Sequence, residues 1–423
     1  MDKLLYQIKK LLPTRLLQTL RPAYHFLLSL LAALIYRFPS RKIKVIAVTG
    51  TKGKTSTLEL VSTILEEAGF KTALAGTLRF KIGDYSENNL FKMTMPGRLF
   101  IQGFLRRAVK AKCDYAILEI TSEGARQYRH RFIALDALIF TNLAREHIES
   151  HGSYEKYVEA KLRIAHALEK SKKPNRLIVA NADDKESAKF LAIQVPQKAT
   201  FSIKDAEPYQ LFKEGCQFNF SGEQITAHLS GVFNIYNMLS AATLARSLGV
   251  NADIIKRALE KFEGIRGRVE KIEAGQDFTV IVDYAHTPDS LEKLYEVFQN
   301  SRKICVLGNT GGGRDKWKRT EMANIAEKHC DSIILTDEDP YDDNPREIVD
   351  DMAKEITEKS VEIIMDRRLA IAKAVKLAQA GDAVLITGKG TDPYIMRGNG
   401  HKEPWSDADV AKEELQKMLK NMA

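Results

Sequence analysis

Seven consecutive residues, Gly50-Thr51-Lys52-Gly53-Lys54-Thr55-Ser56, combine two glycines, two lysines and three hydroxyls in an order suited to phosphate. Glycines let backbone N–H groups approach an anion, Lys54 supplies a mobile cation for the outer oxygens, and the Thr55 hydroxyl suits Mg²⁺. The strict phosphate-loop pattern calls for glycine at position 48, where this chain has Val48. Three residues elsewhere extend the chemistry: Glu119 closing an apolar run, His147 in TNLAREHIESHG and Lys161 in VEAKLRIA. Singly, each reads as an ordinary solvated or structural polar group. Beside the loop, a carboxylate and an imidazole become Mg²⁺ ligands or their supports, and together the set predicts a metal-and-phosphate site.

The elements that must position these residues are legible. Ile43 to Val48 is an apolar, β-branched run of strand length, and Leu58, Val61, Leu65 and Ala68 recur at helical spacing until Gly69 ends the helix. A strand that feeds a helix through a glycine turn aims N–H groups and the positive helix end at one point. Tyr115 to Ile120 and Ala137 to Thr141 are further strands with polar tips, Glu119 with Thr121 and Ser122, then Thr141 with Asn142. In an open α/β sheet such tips share the ligand crevice. Lys71 to Thr77 reads as a short strand with a loop or hairpin through Asn89, Tyr154 to Lys170 as a helix, Leu177 to Ala180 as a strand, 196 to 230 as a small antiparallel patch, and Gly231 to Leu248 as a helix. From Phe278 the alternation resumes, with strands at Phe278 to Val282, Lys303 to Leu307, Ser332 to Leu335, Val361 to Met365 and Ala383 to Thr387. The reading is α/β: a 1–42 basic, apolar helical segment, a 43–267 central P-loop ATPase domain with a mostly parallel sheet, and a 268–423 Rossmann-like α/β domain.

Composition bounds the function. The 423 residues suffice for two or three full-sized domains. The net charge of +9 resides almost entirely in residues 1–44, where nine lysines and arginines face Asp2 alone, so no basic surface for nucleic acid is implied. Cys113, Cys216, Cys305 and Cys330 are widely spaced, form no CxxC pair and imply neither a zinc ribbon nor a disulfide framework. A reducing, cytoplasmic compartment follows. Pro22 to Tyr36 is uncharged but shorter than the roughly 18–20 residues of a spanning helix. Two readings stay open for it: a helix packed on the protein's own core, or an interfacial helix at the inner face of a membrane with lysines and arginines on anionic head groups.

The stretches VTGTKGKTST, EITSEGARQYR, FTNLAREHIESHGSYEKYVEAKLRIA, GVFNIYN, GRVE, VDYAHTPDSLE, GGGRDKWKR and GKGTDPY, in this order, carry a resemblance. The chain resembles the Mur ligases, ATP-dependent enzymes that add amino acids to the peptidoglycan stem peptide, and most closely the MurE type, the UDP-N-acetylmuramoyl-tripeptide synthetases. The resemblance implies that Gly50 to Ser56 hold the ATP phosphates, with Lys54 on the β and γ oxygens and Thr55 on Mg²⁺. Glu119 and His147 would hold magnesium, and Lys161 matches the lysine that carries a CO₂-derived carbamate directed at the metal. Asn234 matches an adenine-side contact, and Arg268 and Asp283 match groups closing on phosphate and ribose. Arg314, Asp339 and Asp392 fall where the incoming amino acid binds, and Thr94, Ser122 and Arg129 where the muramyl-peptide acceptor lies. The implied reaction transfers the γ-phosphoryl group to a carboxylate, and an amine then attacks the acyl phosphate, with a domain closing over it to exclude water. The implied protein is a monomer.

Departures bear on the substrate. The acceptor motif TTP appears as Thr94-Met95-Pro96 and SSH as Thr121-Ser122-Glu123. The diaminopimelate-selecting DNPR falls at Glu338-Asp339-Pro340-Tyr341, which replaces the arginine for the distal carboxylate with tyrosine. Diaminopimelate is therefore the disfavoured amino acid. About 40 residues precede the loop where MurE-type enzymes carry a uridine-binding domain, which reads here as reduced or absent. Two neighbouring readings are a folylpolyglutamate-synthase-like ligase, whose DGAHNP is matched only by Asp283-Tyr284-Ala285-His286-Thr287-Pro288, and a MurT-like subunit of a cell-wall amidotransferase, whose four-cysteine ribbon has no counterpart here.

Overall fold

The structure is a computed structural model that describes residues 14–91, 93–146, 148–313 and 316–422. The chain divides into two compact units, one formed by residues up to 207 with 220–223 and 236–259, the other by 208–219, 224–235 and 260–423.

The first unit is built on an eight-stranded sheet of order β4-β3-β2-β5-β1-β6-β7-β8. Its strands are β1 (Lys44–Thr49), β2 (Thr72–Ala75), β3 (Arg79–Ile82), β4 (Tyr85–Asn88), β5 (Tyr115–Glu119), β6 (Ala137–Phe140), β7 (Leu177–Asn181) and β8 (Gln197–Phe201). β2, β5, β1, β6, β7 and β8 run parallel, while β3 and β4 form an antiparallel hairpin on one edge. Parallel strands covered on both faces carry continuous apolar runs, and five of the six residues of β1 are buried. β8 differs from expectation. Residues 197–201 extend the main sheet beside β7 instead of joining the antiparallel patch, because Phe201 is buried and the β7 edge offers a ladder.

Helices α2 (Lys54–Glu67), α3 (Arg98–Lys110), α4 (Ser122–Arg126) and α5 (Tyr154–Glu169) follow β1, the hairpin, β5 and β6 respectively. A further helix, α1 (Thr14–Ile35), precedes the sheet and contains Pro22. One face of α1 packs on the unit: Ser29, Ala32 and Ala33 are buried, the Ser29 hydroxyl donates to the Tyr128 carbonyl at 2.8 Å, and Phe26 meets Phe132 edge-on at 5.2 Å. The opposite face leaves Tyr24, Leu27, Leu31, Leu34 and Ile35 exposed. Among the described residues no helix is long and apolar enough to cross a membrane.

The second unit holds a six-stranded sheet of order β12-β13-β17-β14-β15-β16, parallel except for β12. These strands are β12 (Glu270–Lys271), β13 (Thr279–Asp283), β14 (Lys303–Leu307), β15 (Ser332–Leu335), β16 (Val361–Ile363) and β17 (Ala383–Thr387). Alternation splits the core in two: Ile281, Cys305, Leu307, Ile333 and Leu385 pack on one face, and Val280, Val282, Ile304, Val306, Val384 and Ile386 on the other. The antiparallel patch is real but smaller than read, three strands covering β9 (Gln210–Phe212), β10 (Gly215–Phe220) and β11 (Glu223–Ala227).

Two of the four cysteines are paired, contrary to expectation. Cys305 in β14 and Cys330, just past the helix Trp317–His329, are joined in a disulfide with Cα atoms 6.1 Å apart. Linear spacing hides the neighbourhood, because a whole helix intervenes before β15 returns beside β14 in the register Cys305↔Ile333. The inference of a reducing compartment therefore loses the support it drew from the absence of disulfides.

Candidate active site

β1 lies between β5 and β6, where the strand order reverses, and ligands of open parallel sheets collect at such a point beyond the carboxyl ends. The register sets Val48 beside Glu119 and Thr49 beside Phe140, so the residues leaving all three strands converge on the loop after β1. That loop is fixed from outside. The Thr51 and Lys52 N–H groups donate to the carbonyl and side-chain oxygen of Asn142 at 2.8 and 2.9 Å, the Thr141 hydroxyl donates to the Lys52 carbonyl at 2.7 Å, and the Thr51 hydroxyl meets the Tyr157 hydroxyl at 2.9 Å.

α2 then begins at Lys54 with Gly53 in the left-handed region (φ 78°) and no side-chain cap, which leaves the helix N-terminus to an anionic ligand. Side chains are excluded from the cradle. A Cβ at Gly50 (φ 152°) would lie 1.9 Å from the Thr141 hydroxyl, and one at Gly53 would lie 2.2 Å from Asn237 Oδ1. The arrangement fits a nucleotide's phosphates despite Val48, whose side chain belongs to the buried strand. Gly53→Ala is expected to lower nucleotide affinity by about tenfold or more while the β-sheet signal in circular dichroism persists. Titration with a fluorescent nucleotide checks this, and wild-type affinity would show that the cradle is not the binding surface.

Glu119 is buried, and one of its oxygens does three jobs: Oε2 accepts from the Thr55 hydroxyl at 3.1 Å, from the Thr77 N–H at 2.9 Å and from the Thr77 hydroxyl at 3.0 Å. The Thr77 hydroxyl also meets the Thr94 hydroxyl at 2.8 Å. Loop, metal candidate and acceptor candidate are thus one hydrogen-bonded set. The Thr55 hydroxyl and the Glu119 carboxylate are hard oxygen donors of the kind Mg²⁺ takes. His147 lies outside the described residues, and no cluster of three or more His, Cys, Asp or Glu suited to a metal occurs among the described ones.

Lys161 projects from α5 into the underside of the loop. It is buried, its amine donates to the Gly50 carbonyl at 2.6 Å, and it sits 4.9 Å from the centre of the Tyr157 ring. Burial, followed by repulsion from Lys54, holds its pKa well below the usual lysine value, so the amine is driven toward its neutral, nucleophilic form. Among the acceptor candidates, Ser122 opens α4, whose cap is Thr121 accepting from the Gly124 N–H at 3.1 Å. The Ser122 hydroxyl meets His151 Nε2 at 3.1 Å, and burial lowers the pKa of that histidine. Arg129 donates to the Met95 carbonyl and, at 2.8 Å, to Gln127 Oε1, which holds the Thr94-Met95-Pro96 turn against α4.

In the second unit, Asp339, Lys389 and Asp392 form one cluster. The fully buried Lys389 amine donates to Asp339 at 2.8 Å, Asp392 at 3.2 Å and the Tyr394 carbonyl at 2.6 Å, and the Met396 N–H adds a 2.7 Å bond to Asp339. Beside them Glu338 is buried, accepts from Thr310 at 2.9 Å and has its pKa raised by burial, so it tends to the neutral acid. Tyr341 follows with φ 53°, packed over Gly312, where a Cβ would lie 2.9 Å from its ring. A literal Asp343-Asn344-Pro345-Arg346 string stands just beyond. Asn344 caps the helix Pro345–Ala353 and Arg346 pairs outward with Asp350 at 2.9 Å, so this DNPR serves a helix start. Arg314 lies outside the described residues.

Asp283 accepts from the Val269 and Ala285 N–H groups at 2.7 and 2.6 Å, and the Arg268 guanidinium lies 4.6 Å over the Tyr284 ring with its Nε buried and unpartnered. Asn234 donates to the Ser230 carbonyl at 2.8 Å. Sequence reasoning passed over Thr77, His151 and Lys389, and named Asn142 only as a polar strand tip. Thr77 and Asn142 lie just beyond strand ends, the rule that found Glu119, and Lys389 lies inside GKGTDPY.

Comparison with known proteins agrees with this geometry. Residues 48–245 match the Mur ligase middle domain, and residues 267–390 match the Mur ligase glutamate ligase domain. The chain is 38% identical over 409 residues to a UDP-N-acetylmuramoyl-L-alanyl-D-glutamate–2,6-diaminopimelate ligase of Syntrophomonas wolfei, covering 93% of this chain and 82% of that one. It is 37% identical to a UDP-N-acetylmuramyl-tripeptide synthetase of a Roseiflexus species, covering 91% and 81%. A solved structure of a UDP-N-acetylmuramoyl-L-alanyl-D-glutamate–2,6-diaminopimelate ligase superposes with a TM-score of 0.62 at 28% identity, covering 89% of this chain and 79% of that one.

Proposed function

The chain belongs to the Mur ligase family, and from that premise we propose that it joins an amino acid to a muramyl-peptide precursor at the expense of ATP, by way of an acyl phosphate. The observation that carries this reading is the single hydrogen-bonded set of Thr55, Glu119, Thr77 and Thr94 beside the glycine cradle. It supports the reading because Thr94, an acceptor contact in this reading, is hydrogen-bonded into the set beside the glycine cradle. Bound ATP with Mg²⁺ supplies the phosphoryl group that turns a carboxylate into an electrophile. The loop N–H groups and Lys54 would neutralise the oxygens on which charge builds, Thr55 and Glu119 would hold the divalent ion, and Thr94, Ser122 and Arg129 would orient the acceptor. Asn234, Arg268 and Asp283 complete the nucleotide contacts, and Arg314, Asp339 and Asp392 receive the amino acid. His147 is a further magnesium ligand in this reading.

Lys161 is read as a carbamate. Addition of its amine nitrogen to CO₂ forms a C–N bond and releases one proton, and the step requires the neutral amine that burial and Lys54 favour. The product is an anion beside the metal candidates. Residues 1–38 make a peripheral membrane contact in this reading, and the enzyme acts as a monomer.

The amino acid is one other than diaminopimelate. Tyr341 stands where the distal carboxylate would need an arginine, and Arg346 of the neighbouring DNPR is engaged with Asp350. Phosphate release by purified protein, measured across muramyl-peptide acceptors and amino acids with product masses, tests the whole reading. Amino-acid-dependent turnover with at least one acceptor is expected. Silence across the matrix would overturn the ligase assignment, and selective use of diaminopimelate would overturn the specificity.

A further inference from the structure

We propose that the exposed face of α1 and the basic cleft beside it form a docking site for the surface of an anionic phospholipid bilayer. This rests on the reading of residues 1–38 as a membrane contact and gives that contact its residues, its lipid charge and its orientation. Tyr24, Leu27, Leu31, Leu34 and Ile35, each about half exposed or more, recur at helical spacing and make one continuous apolar stripe. Such a stripe on a monomer marks an interaction surface. Arg37, Arg41, Lys42 and Lys44, all exposed, follow directly on α1.

The cleft is lined by His130, Arg131, Arg163, His166, Ala167 and Lys170, with no carboxylate in its wall, although Glu169 reaches His166 at 3.1 Å. Arg131 belongs to both features, because its guanidinium lies 5.6 Å over the ring of Phe26 on α1. His130 is 2% exposed with Nδ1 lacking a partner, a buried polar atom in the wall of the cleft. The cleft suits a phosphate group and the stripe suits acyl chains, a pairing that one phospholipid surface satisfies at once.

Charge selects this occupant over a second copy of the chain. Pairing two stripes would bring two sets of arginines and lysines together, whereas an anionic surface neutralises them. Among the described residues no helix is long and apolar enough to span, and the exposed apolar residues of α1 lie on one face, so the contact lies in the plane of the interface. The orientation follows from what α1 is fastened to. Arg98 Nη2 bonds His25 Nδ1 at 2.6 Å and the Gln127 carbonyl at 2.5 Å, and Ser29 bonds the Tyr128 carbonyl at 2.8 Å. Those residues adjoin Thr94, Met95 and Arg129, so docking sets the acceptor side of the site beside the bilayer.

Cosedimentation of the full-length protein with phosphatidylglycerol and phosphatidylcholine vesicles, without substrates, tests this independently of the ligase reading. Binding to phosphatidylglycerol is expected, about tenfold or more weaker to phosphatidylcholine or at high salt. L27E/L31E and R163E/K170E should each weaken it by about tenfold, with circular dichroism and turnover on a soluble acceptor unchanged. Failure to bind, equal binding to both lipids, or wild-type binding by both double variants would overturn the proposal. If K3E/K9E/K10E alone abolishes binding, the membrane contact of residues 1–38 stands and this site falls. If inorganic phosphate occupies the cleft while vesicles are ignored, the cleft is a site for a free anion; if L27E/L31E instead dissociates a dimer, the stripe covers a second copy. Either result overturns the bilayer.

Discussion

Lys54→Met is expected to lower the kcat/KM of amide formation by roughly 10²–10³-fold with the fold intact. The amine donates to the Thr51 carbonyl at 2.9 Å and stands at the first residue of α2, where loop N–H groups and helix end already favour negative charge. Methionine keeps the length and apolar stem of lysine and removes only the cation. Lys54→Arg should restore little, because a planar fork does not replace a compact ammonium in a cradle this closely walled. The same substitution has a second readout. Lys54 is one of the groups that depress the Lys161 pKa, so its loss should raise that pKa and strengthen the dependence of residual activity on bicarbonate. Turnover at the wild-type rate would remove Lys54 from the phosphate site.

Lys161→Met is expected to abolish measurable turnover and at the same time to stabilise the protein at neutral pH. Lys161 is buried with its pKa lowered well below 10.5. Between its folded value and 10.5 the unfolded chain binds the proton and the folded chain does not, so stability rises with pH across this window and is reduced at neutral pH. An apolar side chain of similar length ends that penalty. Thermal unfolding followed against pH should show a higher midpoint for the variant, with the difference shrinking as pH approaches 10.5. Isotopically labelled bicarbonate should give wild-type protein a carbamate resonance that the variant lacks. A variant that is less stable at every pH, or one that retains activity, would make Lys161 a packing residue.

Much of the first unit was legible because its signals are local. The strand-turn-helix around GTKGKTS and the polar tips of β5 and β6 follow from apolar runs that end in functional groups, and the resemblance in eight ordered stretches then assigned roles. What escaped detection depends on the third dimension. Thr77 is an unremarkable hydroxyl until the β2 and β5 strands are laid side by side, which brings it to Glu119. Cys305 and Cys330 are distant until β15 returns beside β14. α1 reads from sequence as either a core helix or an interfacial one because its composition serves both ends. Its buried face is Ser29, Ala32 and Ala33, small residues that permit close packing, while the larger side chains Tyr24, Leu27, Leu31, Leu34 and Ile35 point away. In the second unit's buried cluster, the sequence named Asp339 and Asp392 but not the Lys389 that neutralises both, since a lysine between glycines carries no periodic signal.

One oxygen atom, Glu119 Oε2, accepts from Thr55 and twice from Thr77, and Thr77 in turn holds Thr94. A carboxylate oxygen offers about two lone-pair sites, so a cation that takes Oε2 together with the Thr55 hydroxyl displaces at least one of these bonds. Occupancy of that position by a cation and the conformation of Thr94 would then be thermodynamically linked. Linkage is symmetrical: by whatever factor the cation changes affinity for the acceptor, the acceptor changes affinity for the cation. The two titrations, each repeated with the other ligand saturating, must then close a cycle, and the size of the coupling becomes a property of a single shared atom.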